Sequence, residues 1–378
     1  MRYSQSIGRS RLRARRPCSQ AFDGDNLIEF ESPSDPPQAS IRSASFGLSP
    51  ASFARPRGPN QLMASSPINF AITGVGGVVA PRHLRAIRDT GSRLVAATDP
   101  NDSVGVLDEF DLDVPFFTEA ERFDRYLEKL RHGPEERRVR WLTVCAPNHL
   151  HDAHCRLGLR LKADVICEKP LVINPWNLDA LKELEHETGH RVWTVLQLRM
   201  HERLVALREQ LRREGPGRHN VVLTYVTPRG RWYDVSWKGN IEKSGGIATN
   251  IGVHMFDLLV WLFGRPVAHP VHLAEPRRMA GVLELERARV AWFLSVEEKD
   301  LPAPIRASGR RTFRSIAIDG TEFEFSTGFE HLHTRVYERT LAGDGFSIDD
   351  ARASIELAHR IRQAAVDRRG DLVHPLLR

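Results

Sequence analysis

Two stretches place proton-moving side chains at points where a fold could bring them together. Lys169 stands in Glu168-Lys169-Pro170, directly after the strand-like run Asp164–Cys167. His254 stands in Gly245-Gly246-Ile247-Ala248-Thr249-Asn250-Ile251-Gly252-Val253-His254-Met255-Phe256-Asp257. An amine and an imidazole can both act as a general base near neutral pH. Taken separately each has a plainer reading, because a histidine on an apolar helix is more often a satisfied core residue. Residues 250–263 read as one helix, which would put Asn250, His254 and Asp257 on one face. Such a polar stripe is costly to bury unless its partners are supplied.

A third stretch has the makings of a nucleotide cradle. The run 68–73 is apolar and β-forming, and it leads into Gly74-Val75-Gly76-Gly77-Val78-Val79-Ala80. An amphipathic helix over 81–90 and a second strand over 93–98 follow, ending at Asp99. A pyrophosphate needs backbone N–H groups at a helix start, free of blocking side chains. Gly74, Gly76 and Gly77 meet that need, with Val78 next to them. Asp99, with Asn101 and Ser103 beyond it, can accept hydrogen bonds from ribose hydroxyls and would repel a 2′-phosphate. The order strand, glycines, helix, strand, aspartate therefore points to NAD rather than NADP. Val79 occupies the third glycine position of the simplest pattern, which predicts slightly looser helix–strand packing.

The elements needed to position these groups are legible. Strand-type segments at 139–145 and 164–167, helices at 148–161 and 175–188, and a strand at 191–198 continue the alternation. That pattern predicts a parallel sheet with right-handed crossovers. Pro147, Asn148 and His151 then join Glu168 and Lys169 at the carboxyl ends of the strands, where ligands collect. After residue 198 the pattern changes to a helix at 201–214 and long β-type runs, two of them flanking the hairpin signal Asp319-Gly320. The expected fold is α/β: a parallel-sheet Rossmann domain over 67–198, then an α+β domain with a largely antiparallel sheet over 199–378. The loop 227–239 gathers Arg229, Arg231, Trp232, Tyr233 and Lys238, able to pair with phosphate or carboxylate and to stack on a sugar or base. A capping loop or subunit contact is the plainer alternative. His149, His151, His154 and Cys155 fall on different faces of a helix start, so no metal site is expected. His331 and His333 precede a helix and read as surface residues.

Composition narrows the class. The chain has 378 residues, 41% hydrophobic and 27% charged, and a net charge of +6. Residues 1–62 hold nine arginines against five acids, so most of the excess lies in a Ser-, Pro- and Arg-rich segment with no secondary-structure period. Disorder is the expectation for 1–66, with translation beginning at Met63. A nucleic-acid role would rest on that segment alone, without interleaved aromatics. No apolar run suggests a membrane span. The four cysteines form no CxxC pair, which fits buried thiols in a reducing cytoplasm.

Together the glycine turn, Pro147-Asn148, Glu168-Lys169-Pro170 and Gly245-Gly246 with Asn250, His254 and Asp257 resemble the Gfo/Idh/MocA family of sugar oxidoreductases from residue 67 onward. Many members carry Asp at the position of Asn250, so a carboxylate role is not transferred there. Within the family the chain is most similar to the bacterial UDP-N-acetylglucosaminuronate 3-dehydrogenases, through Asn250, Asp99 and the 229–239 loop. That resemblance implies oxidation of a UDP-sugar 3-hydroxyl with NAD in surface-polysaccharide (O-antigen, lipopolysaccharide) biosynthesis. It also implies 2-oxoglutarate as a means of recycling NADH, and a homotetramer or homodimer. Lys169 and His254 are jointly assigned to the 3-hydroxyl, since an amine partly buried beside a positive nicotinamide loses its proton more readily. Asn250 would orient the sugar. Arg229, Arg231 and Lys238 would meet its carboxylate or diphosphate, and Gln197 and Arg199 would line the cleft. Alternatives are a family member acting on a free sugar or inositol, and a non-enzymatic dinucleotide sensor.

Overall fold

The computed structural model describes residues 67–378; the expectations for residues 1–66 lie outside that range. The first half runs β1 (Asn69–Thr73), α1 (Ala80–Asp89), β2 (Arg93–Thr98), β3 (Phe116–Phe117), α2 (Ala120–His132), β4 (Trp141–Val144), α3 (His151–Arg160), β5 (Asp164–Cys167), α4 (Trp176–Thr188) and β6 (Val192–Thr194). These six strands form a parallel sheet in the order β3-β2-β1-β4-β5-β6. The order reverses between β1 and β4, which opens a crevice beyond their carboxyl ends. The strands are almost continuously apolar because helices cover both faces.

The second half begins with α5 (Glu202–Arg213) and β7 (His219–Val226). Three short helices follow, α6 (Trp232–Val235), α7 (Ile241–Ser244) and α8 (Gly246–Asn250), and then the longer α9 (Gly252–Phe263). Then come β8 (Pro266–Ala268), β9 (Val271–Ala274), β10 (Arg278–Leu285), β11 (Ala288–Ser295), α10 (Ala303–Ala307), β12 (Phe313–Ile318) and β13 (Thr321–Glu324). The seven strands make a second sheet, antiparallel except where β11 pairs with β7. Asp319 and Gly320 take positive φ in the β12–β13 hairpin, as expected of that dipeptide. Helix α9 is apolar nearly all round and buried against Trp292, Leu294 and Leu283 of the sheet.

The last two helices, α11 (Leu332–Leu341) and α12 (Ile348–Gln363), turn back to the first sheet. Helix α11 lies against α1, and its Val336 and Tyr337 join a core with Phe70 and Ile72 of β1. Helix α12 begins with a capping box between Ser347 and Asp350, and it packs on both α9 and β6.

One local expectation is corrected. Residues 250–263 are not a single helix: α8 stops at Asn250, and the axes of 241–250 and 252–263 differ by 41° across Ile251. Gly252 starts α9 in a tight place, since a Cβ there would come within 2.8 Å of Leu294 and 2.9 Å of Phe256. His254 and Asp257 therefore share α9, while Asn250 faces the Tyr233 phenol.

Candidate active site

The crevice beyond β1 and β4 has a backbone-lined floor. Gly74 takes φ +80°, and a Cβ there would stand 2.5 Å from the Ala146 amide nitrogen. The turn and the end of β4 can lie this close only with glycine present. The Asp99 carboxylate accepts from the Gly76 amide at 3.0 Å and the Asn101 amide at 2.9 Å, which fixes it at the end of β2. A Cβ at Gly76 would press on that carboxylate at 3.2 Å. These features fit a dinucleotide, with amides at the start of α1 for the pyrophosphate and Asp99 for a ribose. Val78 is exposed beside the turn, as are Asn101 and Ser103, and Val79 lines the neighbouring cavity instead of packing under the helix.

That cavity, about 260 Å³, adjoins the crevice and carries Lys169, His254, Gln197, Tyr225, Arg314 and His333 on its walls. A smaller recess shares Lys169 and His254 and reaches Asp257. The expected pair thus meets at one opening. Lys169 follows β5, and the Lys169–Pro170 peptide is cis. His151 secures this corner, with one ring nitrogen 2.7 Å from the Pro170 carbonyl and the other 2.8 Å from that of Ala146. Burial, then the charge of Lys169, holds the His254 imidazole well below its ordinary pKa, so it is neutral at pH 7. Gln197 is buried, and its amide oxygen has no partner among the described residues.

Behind Lys169 lies a charged cluster whose histidines were not expected there. Glu168 is buried, and its Oε1 accepts from His333 Nε2 at 2.9 Å and His83 Nε2 at 3.1 Å. Its other oxygen lies 3.8 Å from Lys169 Nζ. Burial alone would raise the Glu168 pKa, but the two histidines and Lys169 outweigh it and hold the carboxyl well below the usual range. His83 continues the chain through Nδ1 to the Tyr337 hydroxyl at 2.9 Å, and Tyr337 meets Thr143 Oγ1 at 2.8 Å. The direction is consistent throughout: Thr143 donates to Tyr337, Tyr337 to His83, and His83 to Glu168. The ligating atoms of His83, Glu168 and His333 lie within 4.8 Å of one another, a metal-compatible donor set arranged as hydrogen bonds. The surface assignment of His333 is therefore corrected. Helix α11 begins at Leu332, two residues earlier than the reading required, and it carries His333 and Tyr337 inward at i, i+4. Only His331 stays exposed. His83 had left a signal, because Ala80, His83, Leu84 and Ile87 share helical spacing.

Other expected residues sit elsewhere. Arg199 is not a cavity wall: its guanidinium pairs with Asp257 at 2.8 Å, which makes that acid tolerable inside, and with Asp350 at 3.0 Å. Asn148 is buried and donates to the Ser244 carbonyl at 2.9 Å, tying the β4 end to α7. Tyr233 is buried under the Arg277 guanidinium, while Trp232 is half exposed. Lys238 lies over both Trp232 and Trp237, 5.3 and 5.4 Å from their centroids. Arg229, Arg231 and Lys238 do not line the cavity. Arg314 does, and sequence reading missed it because one arginine in a β-run carries no spacing signal.

Comparison with known proteins agrees with this geometry. Residues 68–196 match the oxidoreductase family, NAD-binding Rossmann fold, and residues 219–300 match its C-terminal alpha/beta domain. The chain is similar to the WlbA (WbpB) dehydrogenase of Thermus thermophilus, solved in complex with NAD and alpha-ketoglutarate. Identity is 52%, over 80% of this chain and 97% of that one, with a TM-score of 0.78. A second structure of the Thermus protein, with NAD and UDP-GlcNAcA, is 51% identical over 82% and 99% of the two chains, TM-score 0.78. The D-glucoside 3-dehydrogenase of Escherichia coli is 26% identical over 136 residues, 35% of this chain, and the match spans only 38% of that curated relative's length. The chain belongs to the Gfo/Idh/MocA family of NAD-dependent oxidoreductases.

Proposed function

We propose that the enzyme oxidises the 3-hydroxyl of UDP-N-acetylglucosaminuronic acid to the ketone. The observation that carries this reading is the convergence of Lys169 and His254 on one cavity beside the glycine crevice. The Thermus protein's complex with UDP-GlcNAcA supports the choice of substrate. NAD, when bound, accepts the hydride that leaves C3. The protein's part is to hold that carbon, exclude water and take the hydroxyl proton. Lys169 and His254 do this jointly: His254, kept neutral chiefly by burial, can accept a proton on a ring nitrogen, and Lys169 is braced by Glu168. Gln197, on the wall of the same cavity, is assigned to the sugar. Arg231, exposed, and the part-buried cations Arg229 and Lys238 are assigned to the diphosphate, and Asn250 to the sugar. 2-Oxoglutarate, present in the other Thermus complex, would regenerate NAD in place. The enzyme would act in the cytoplasm on surface-polysaccharide precursors, as a homotetramer or homodimer. We assign 67–198 to the cofactor and 199–378 to the substrate and subunit contacts, except for α11 and α12, which return to the first sheet.

The test is anaerobic incubation with UDP-N-acetylglucosaminuronic acid and NAD, following NADH absorbance and the keto sugar with and without 2-oxoglutarate. Protein that binds NAD but makes neither product under either condition would rule out this substrate.

A further inference from the structure

Arg314, a cation on the cavity wall, has no acid paired with it among the described residues. Arg314 sits on β12 directly opposite Tyr225 of β7. Alternation along the strand puts it on the same face as Ile316, which is buried in the core with Tyr225 and Leu223. Arg314 therefore leaves the edge of that core and opens into the cavity. Its guanidinium lies 5.0 Å from the Tyr225 ring centroid and 4.6 Å from that of Phe329. Its side-chain polar contact is the Tyr225 hydroxyl, at 3.4 Å.

Several other part-buried arginines are paired with acids. Arg199 has Asp257 and Asp350, Arg277 has Asp234 and Glu297, and Arg278 has Glu275 and Asp300. Arg314 forms no ion pair among the described residues. The cavity around it is also short of negative charge. Arg82 and Lys169 line it, and its acid, Glu168, commits one oxygen to two histidines and faces Lys169 with the other. A guanidinium held by two rings keeps its fork of N–H donors in a fixed plane, and that fork matches a carboxylate. The apolar flanks keep water away and strengthen the pairing.

We propose that Arg314 is the carboxylate anchor of the cavity, binding the carboxylate of a uronate sugar and, by the same chemistry, a carboxylate of a 2-oxo acid. This rests on the sugar-oxidation reading above and moves the carboxylate contact from the 229–238 loop to β12. In a hexuronate the carboxylate hangs on C5, with one ring carbon between C5 and C3. Anchoring it near Lys169 and His254 brings the 3-hydroxyl to them. In a 2-oxo acid the carboxylate adjoins the ketone, so the same anchor presents the carbonyl carbon. The two reactions then balance across one site. The sugar C3–H bond breaks with its hydride passing to NAD and its O–H proton to the base; the 2-oxo acid takes back hydride and proton to become a 2-hydroxy acid.

The experiment is calorimetric titration of the full, NAD-loaded chain with UDP-N-acetylglucosaminuronic acid, with 2-oxoglutarate, and with UDP-N-acetylglucosamine, which has a neutral hydroxymethyl at C6. Wild type is compared with Arg314→Met and Arg314→Lys, and NAD affinity reports that each variant is folded. Arg314→Met should weaken the carboxylate ligands by roughly 10- to 100-fold and leave the neutral sugar nucleotide unchanged. Arg314→Lys should recover part of the loss, since it keeps the charge without the fork. Dependence of one carboxylate alone on Arg314 identifies that one as its ligand. The proposal falls if Arg314→Met binds both carboxylates like wild type, if the neutral analogue weakens by the same factor, or if wild type binds neither carboxylate. Wild type that binds 2-oxoglutarate through Arg314 but oxidises no UDP-N-acetylglucosaminuronic acid would overturn the substrate reading and leave the anchor standing.

Discussion

Glu168 and His333, 165 residues apart in sequence, are joined by a buried 2.9 Å hydrogen bond that links α11 to the strand end carrying Lys169. His83 shares the same carboxylate oxygen, so either histidine alone would leave a buried charge half satisfied. Replacing His333 with Phe should lower stability by about 1–3 kcal/mol, the cost of a missing donor to a buried charged acceptor. Turnover should fall with it, because Glu168 braces Lys169, while NAD affinity holds. Urea unfolding and NAD titration measure the two effects separately. A variant as stable and as fast as wild type would show that the bond contributes nothing.

The proposed base pair is tested by Lys169→Met and His254→Asn. Each should keep NAD binding and lose about 100-fold or more in turnover, the usual worth of a placed proton acceptor. Near-wild-type kcat in either variant would remove that residue from the pair.

Asp99, pinned by two amides, is poised to favour NAD. Asp99→Asn should weaken NAD by roughly tenfold and narrow its lead over NADP, since one source of repulsion toward a 2′-phosphate is gone. Fluorescence titration with both cofactors would reveal an unchanged ratio if Asp99 has no such role.

Arg199 and Asp257 form an almost fully shielded pair. Asp257→Asn should cost about 3–5 kcal/mol, because the buried guanidinium loses a matched charge. Chemical denaturation provides the measurement; a loss below about 1 kcal/mol would place the pair with exposed ion pairs.

Stability should also fall in mild acid. Burial chiefly lowers the His154 and His374 pKa values to about 4 each. Between the unfolded value near 6.5 and that folded value, the unfolded chain holds protons the fold excludes. Stability is therefore full above pH 6.5 and declines as pH falls, by about 1.4 kcal/mol per unit for each histidine. His374→Gln should flatten the slope by about that amount. Equal unfolding midpoints for wild type at pH 7 and pH 5 would contradict this.

Local sequence revealed the parallel sheet, the glycine turn with Asp99, and the hairpin at Asp319-Gly320, because each depends on neighbours within one or two elements. The meeting of Lys169 and His254 was legible only through family likeness, since no spacing rule connects β5 to α9. His333 and Arg314 were lost for a related reason. Their partners, Glu168 and Tyr225, lie 165 and 89 positions away, and their roles arise from which way a helix or strand faces. The break at Ile251 was hidden by a run apolar enough to read as continuous helix.

The return of α11 to the first sheet sets an order of events during synthesis. Strand β5 and helix α1 leave the ribosome long before residues 332–341, so Glu168 has one of its two histidines until the chain is nearly complete. A nascent chain halted before α11 would expose the Phe70 and Ile72 side of its sheet and carry an under-paired carboxylate inside. Closing the nucleotide half therefore waits on the C-terminal segment, and a fragment ending at β6 is a poor candidate for independent folding.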